Sequence, residues 1–146
     1  LREEMQEFIL DKLQLLIERK LIKGIGENGT EYTVIAQILD LPKEILRLIQ
    51  KFDFTKKNPK LIYINTGETM ISLQDSILVT FLNLAGFDIL FFVPTGYQSV
   101  ENYFAEKLME EHQIGEYKYD MQVPDLNNIS TNSTRPSWRR KLFRRG

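Results

Sequence analysis

The chain has no cysteine, a single histidine (His112), one tryptophan, and no apolar run near the ~18 residues a membrane span requires. Without cysteine there are no disulfides, no thiolate metal ligands and no cysteine nucleophile. One histidine leaves no His-rich metal site, and no conventional catalytic triad unless another chain completes it. Acid is missing from residues 135–146, which carry Arg135, Arg139, Arg140, Lys141, Arg144 and Arg145. Six of the 19 cations therefore lie in that tail, leaving 13 against the 20 acids of the preceding body. The formal charge of −1 averages an acidic body and a basic tail. An acidic body argues against a broad nucleic-acid footprint, so no nucleic acid is expected as a partner. With no spanning segment, a cytoplasmic location is the expectation. The first residue is Leu1 rather than Met, which leaves room for an upstream signal or domain.

What is present fits one ordinary domain: 146 residues, 42% of them apolar and 27% charged. Two short apolar runs, Lys60–Ile64 and Asp88–Val93, read as strands. Each runs into a small-residue loop, Asn65-Thr66-Gly67-Glu68 and Pro94-Thr95-Gly96-Tyr97. Between them Leu73 to Ala85 has a helical pattern, opened by Ser72 and closed by Gly86. A strand–helix–strand unit makes its strands parallel, so both loops fall at one carboxyl edge, where open α/β sheets bind ligands. The crossover helix is apolar nearly all round, with only Ser76, Thr80 and Asn83 as a polar strip. That pattern predicts cover on its outer side as well, from residues 1–23 or from a further domain.

Upstream, residues 2–23 predict an amphipathic helix with Met5, Phe8, Ile9, Leu13, Leu16 and Ile17 on one face and a stop at Gly24 and Gly26. Tyr32–Leu39 suits a helix, although Tyr, Thr, Val and Ile at its start also suit a short strand. Pro42 opens a third helix, Lys43–Lys51. Downstream, Tyr97–Glu111 carries a stripe of Val100, Tyr103, Phe104 and Leu108 and predicts a helix ending near His112, whose charge would suit the helix dipole. Tyr117, Tyr119, Met121 and Val123 alternate with polar residues and predict a third strand or an extended edge segment. The fold class is thus α/β: a small parallel sheet of two or three strands with flanking helices, a partial Rossmann-like unit. Three parts are expected: 1–54, a helical segment packing on the sheet; 55–123, a βαβα core; and 124–146, a loop with the basic tail.

Several motifs carry a family resemblance. Phe52-Asp53-Phe54, Pro59-Lys60-Leu61-Ile62-Tyr63, Asp75-Ser76-Ile77-Leu78, Leu82–Ile89 and Pro94-Thr95-Gly96-Tyr97 together resemble the carboxyl-terminal part of YceG-type proteins. Those proteins belong to bacterial tellurium and toxic-anion stress-resistance operons and are described as components of a biosynthetic module. The tail Trp138–Phe143 fits the end of the same pattern. Members are much longer, so the resemblance implies one domain of a longer protein, with the remainder of that chain or proteins of the same operon as partners. It brings no established reaction, cofactor or catalytic residue.

The candidate ligand-binding residues are Asn65, Thr66, Gly67, Glu68, Thr95, Gly96, Tyr97 and Glu101. Asn65–Glu68 offers an amide, a hydroxyl and a carboxylate at a strand end, but with Ser72 and Asp75 as a capping box it also reads as a plain turn and cap. No Gly-Lys-Ser/Thr follows, so it is not a P-loop. At Pro94–Ser99, Thr95 can cap a helix with Gln98 three residues on. Gly96 permits close approach and Tyr97 can stack on a base or sugar; an ordinary strand-to-helix turn is the plainer reading. Glu68 and Glu101 can act as an acid–base pair or hold a divalent ion, or simply be solvated. Asp88, at the amino end of its strand, reads as structural. The sequons at Asn28, Asn128 and Asn132 mean little without a secretory context. Trp138, Leu142 and Phe143 among cations suit an anionic membrane, a free tail, or docking on the acidic body. The preferred reading is a carboxyl-terminal ligand-binding half of a transferase-like enzyme acting on a nucleotide-linked or phosphorylated metabolite. The competing one is a non-catalytic module docking partner proteins. Polar side chains converging at the two loops favour the first, and a filled edge favours the second.

Overall fold

A computed structural model describes residues 3–52, 57–68, 70–97 and 100–124. The expected loop and basic tail from residue 125 onward, and Gln98, lie outside the described residues. Three helices, α1 (Glu3–Glu18), α2 (Thr30–Leu39) and α3 (Lys43–Lys51), precede β1 (Lys60–Ile64), α4 (Leu73–Leu84) and β2 (Asp88–Phe92). The two strands pair in parallel, Lys60 opposite Asp88 through Ile64 opposite Phe92. This is the α/β unit the sequence predicts, with two strands among the described residues.

α4 forms because both its ends are specified locally. Ser72 accepts a hydrogen bond from the Asp75 N–H at 3.0 Å, and its hydroxyl donates to the Asp75 carboxylate at 2.7 Å. At the other end Gly86 has φ 101°, a left-handed conformation that a Cβ would penalise. Its N–H donates to Asn83, while the Phe87 N–H reaches back to Leu82, closing a Schellman motif. Ile77, Phe81 and Leu82 are fully buried, and so is Ser76, whose hydroxyl bonds the Ser72 carbonyl. The outer side of α4 is covered by α1 and α2 of the same chain, and its inner side faces β2. Within the helical segment, α1 and α2 therefore pack on α4.

Three predicted elements differ. The first helix stops at Glu18 rather than near Lys23, because Lys20 adopts φ 50°. The Lys20 N–H bonds Ile17 and the Leu21 N–H bonds Leu16, a Schellman stop made without glycine. Leu21 and Ile22 then turn into the core. Tyr97–Glu111 forms no helix among its described residues. Val100 and Phe104 are buried, but the backbone around them is taken by the segment after α1. Lys23 donates to Tyr103 and Ala105 donates to Leu21, each at 2.9 Å, with an antiparallel bridge between Ile22 and Phe104. Tertiary pairing overrides the helical spacing there, and the βαβα order ends as βαβ. The Tyr117–Val123 alternation makes no strand; Asp120 at φ 53° interrupts it, and all four apolar residues are exposed.

Candidate functional site

Both loops leave the sheet at the same edge, since Ile64 lies opposite Phe92 and the Asn65 N–H still donates to the Phe92 carbonyl at 2.9 Å. The candidate residues sit there, but the side chains of Asn65 and Thr95 turn inward on their own loops. Asn65 Oδ1 accepts from the Gly67 N–H at 3.3 Å, an Asx turn. Thr95 is buried, and its Oγ1 accepts from the Tyr97 N–H at 3.3 Å instead of capping a helix. Thr66 and Gly67 are half-buried, whereas Glu68 and Tyr97 are exposed.

Gly96 has φ 68°, and a Cβ built on it would run into the Tyr117 ring. The close approach that this glycine permits is thus taken by a side chain of the same chain. The Lys118 N–H donates to the Pro94 carbonyl at 2.8 Å and holds the Tyr117 segment against the loop.

Beside β2 an open groove runs from the end of α4, past Gly96 and Tyr97, to residues 100–117. Glu101, Glu106, Glu110, Glu111 and Glu116 line it, against Arg19 and His112. Glu101 is partly buried, and its Oε1 is shielded from solvent with no hydrogen-bond partner among the described residues. Glu68 stands in solvent on the other loop. His112 belongs to no helix; it is exposed, with Nε2 3.6 Å from the exposed Glu110 carboxylate. Among the described residues no group of three or more His, Asp or Glu side chains is arranged to hold a metal ion.

A pairing that the sequence does not announce adds a polar cluster at the same edge. Tyr63, on the α4 side of β1, donates its phenol to Asp75, the residue that completes the α4 cap. Partial burial pushes the Tyr63 phenol above its usual value, and the charge of Asp75 and their hydrogen bond add to that shift. No spacing rule pairs a strand residue with a helix cap, so only the crossover geometry reveals it. At the opposite end of the sheet Asp88 is held below its usual carboxylate value by Lys60, 2.6 Å away, and by Asn58 at 3.4 Å. Asp88 is a structural residue far from the loops.

The sheet itself has an exposed apolar face. Leu61, Tyr63, Ile89 and Phe91 point toward α4 and are half-buried, and the Tyr63 and Phe91 rings pack at a 39° tilt with centroids 5.3 Å apart. Their neighbours Ile62, Ile64, Leu90 and Phe92 form the other face and are 56, 42, 49 and 49% exposed.

Fold and edge together define a small α/β unit built on one parallel strand–helix–strand crossover. The YceG domain model matches residues 2–134, and the chain belongs to that family. A relative from Bacillus subtilis (strain 168), named "Uncharacterized protein YceG", is 31% identical over 93 residues. That match covers 62% of this chain and 17% of the relative, so the chain spans under a fifth of that protein. No solved structure matches. No helix among the described residues is long and apolar enough to cross a membrane.

Proposed function

We propose that this chain is a docking module of a longer YceG-type protein, joining the remainder of that protein through the bare face of its sheet. The observation that carries this reading is the exposure of Ile62, Ile64, Leu90 and Phe92, four large apolar side chains on one parallel sheet. Parallel sheets bury both faces in stable folds, and here one face has its helix and the other has none among the described residues. The loops at the carboxyl edge support the same reading, because the Asn65 and Thr95 side chains bond within their own loops and the Tyr117 ring lies against Gly96. Glutamates along the groove repel a phosphate, which weighs against a nucleotide-linked ligand there. The biological setting this reading carries is toxic-anion stress resistance, with proteins of the same operon as further partners. The basic tail adds attraction to an anionic membrane.

A second reading, a carboxyl-edge ligand site of a transferase-like protein, has two observations in its favour. They are the solvent-shielded Oε1 of Glu101 and the Tyr63–Asp75 pair at the edge. Thermal unfolding with a panel of nucleotides, sugar nucleotides and phosphorylated sugars separates the two. Docking predicts no saturable shift with any of them. A saturable shift that Glu101→Gln abolishes would replace docking by ligand binding.

A further inference from the structure

We infer that the bare face of the sheet seats a single amphipathic helix of about three turns, supplied by the same longer polypeptide. This rests on the docking reading above and names its occupant.

The dimensions of the face select the occupant. Two parallel strands lie ~4.8 Å apart, so the sheet is about as wide as one helix with its side chains, ~10 Å. Strands of five residues run roughly 17 Å, the length of about 11 helical residues. α4, a single helix of 12 residues, covers the opposite face of the same two strands. The exposed residues pair across the strands, Ile62 with Leu90 and Ile64 with Phe92, forming a compact apolar rectangle. At the amino end it is bordered by the exposed Lys60–Asp88 ion pair, a polar rim. An apolar stripe three to four residues apart fits that rectangle, with its polar side outward.

A second copy of the chain fits less well. Half-exposed, the four side chains offer roughly 300–400 Å², while a stable dimer buries ~800 Å² per partner. A separate strand would extend the edge of the sheet and leave this face bare. Chain to supply the helix exists in the family, since 83% of the Bacillus subtilis relative lies outside the match.

The test uses the longest natural polypeptide carrying this sequence, with a photoreactive benzoylphenylalanine at Leu90 or Ile62 and, as control, at Tyr32 on α2, 72% exposed. After irradiation, the crosslinked peptides are sequenced by mass spectrometry. The expected product joins both sheet positions to one segment of the same polypeptide with apolar residues at helical spacing; Tyr32 does not join it. Crosslinks to an alternating, strand-like segment, or to Leu90 or Ile62 of a second copy, overturn the helix while leaving a docking face. The absence of any crosslink at both sheet positions overturns docking as well. Because the chain has no cysteine, single substitutions Leu90→Cys and Tyr32→Cys give a check independent of photochemistry in any cysteine-free background. Alkylation at Leu90→Cys is expected to be at least tenfold slower than at Tyr32→Cys in the long polypeptide. Equal rates overturn the covered face.

Discussion

The two faces of the β1–β2 sheet have nearly the same composition and very different surroundings. Toward α4, Leu61, Tyr63, Ile89 and Phe91 pack against a helix that α1 and α2 cover in turn. Away from it, Ile62, Ile64, Leu90 and Phe92 meet no element among the described residues and stay about half exposed. In each strand, apolar side chains run without alternation, the pattern of a strand buried on both sides. What distinguishes the faces is therefore the presence of a cover. The sequence of the strands is written for two helix layers, and the described residues supply one.

Truncation on the two sides gives the sharpest test of that contrast. Phe81→Ala, inside α4 and fully buried, is expected to cost roughly 3–5 kcal/mol through lost burial and the cavity left behind. The same truncation at Leu90 is expected to cost less than about 1 kcal/mol, as for a partly exposed surface position. Urea denaturation of both variants measures the difference, and equal losses would erase it. Gly96→Ala comes next, at about 1–3 kcal/mol, because a Cβ at φ 68° strains the backbone and meets the Tyr117 ring. If the ring is the obstacle, adding Tyr117→Ala restores part of the loss, a non-additivity that the same denaturation curves reveal.

The smallest effect belongs to pH. The native Tyr63 phenol lies above its ordinary value, so the folded state holds this proton more tightly than the unfolded chain does. Its contribution is complete below the unfolded value of ~10 and is lost as pH rises through the native one. Tyr63→Phe removes that dependence, so between pH 9 and 11 its unfolding midpoint should fall less steeply than the wild type's. Parallel slopes would show that Asp75 and burial do not act on Tyr63 in solution.

Local signals made much of the fold legible. Pro42 opens α3, while Ser72 with Asp75 and then Gly86 bound α4, and each signal acts within about four residues of its effect. The stop of α1 was hidden because Lys20 fills a position usually given to glycine, and Gly24 and Gly26 lie further along. The stretch after Gly96 departs from its helical spacing because its hydrogen bonds go to Leu21 and Lys23, some 80 residues earlier in the chain. At the candidate site, parallel topology places both loops at one edge. That Tyr117 covers Gly96, or that Tyr63 reaches Asp75, depends on contacts no window of sequence contains.

The position of α4 between the helices and the strands has a consequence for the order in which the molecule opens. Its amide hydrogens are screened on one side by α1 and α2 and on the other by β2, so fraying either layer alone leaves them protected. Solvent deuterium reaches the Ile77–Leu82 backbone only when both layers part together. The exchange rate of that one turn and a half therefore reports the cooperative unfolding of the whole unit, while strand amides on the edges that pair with no strand among the described residues trade their hydrogens through smaller, earlier openings.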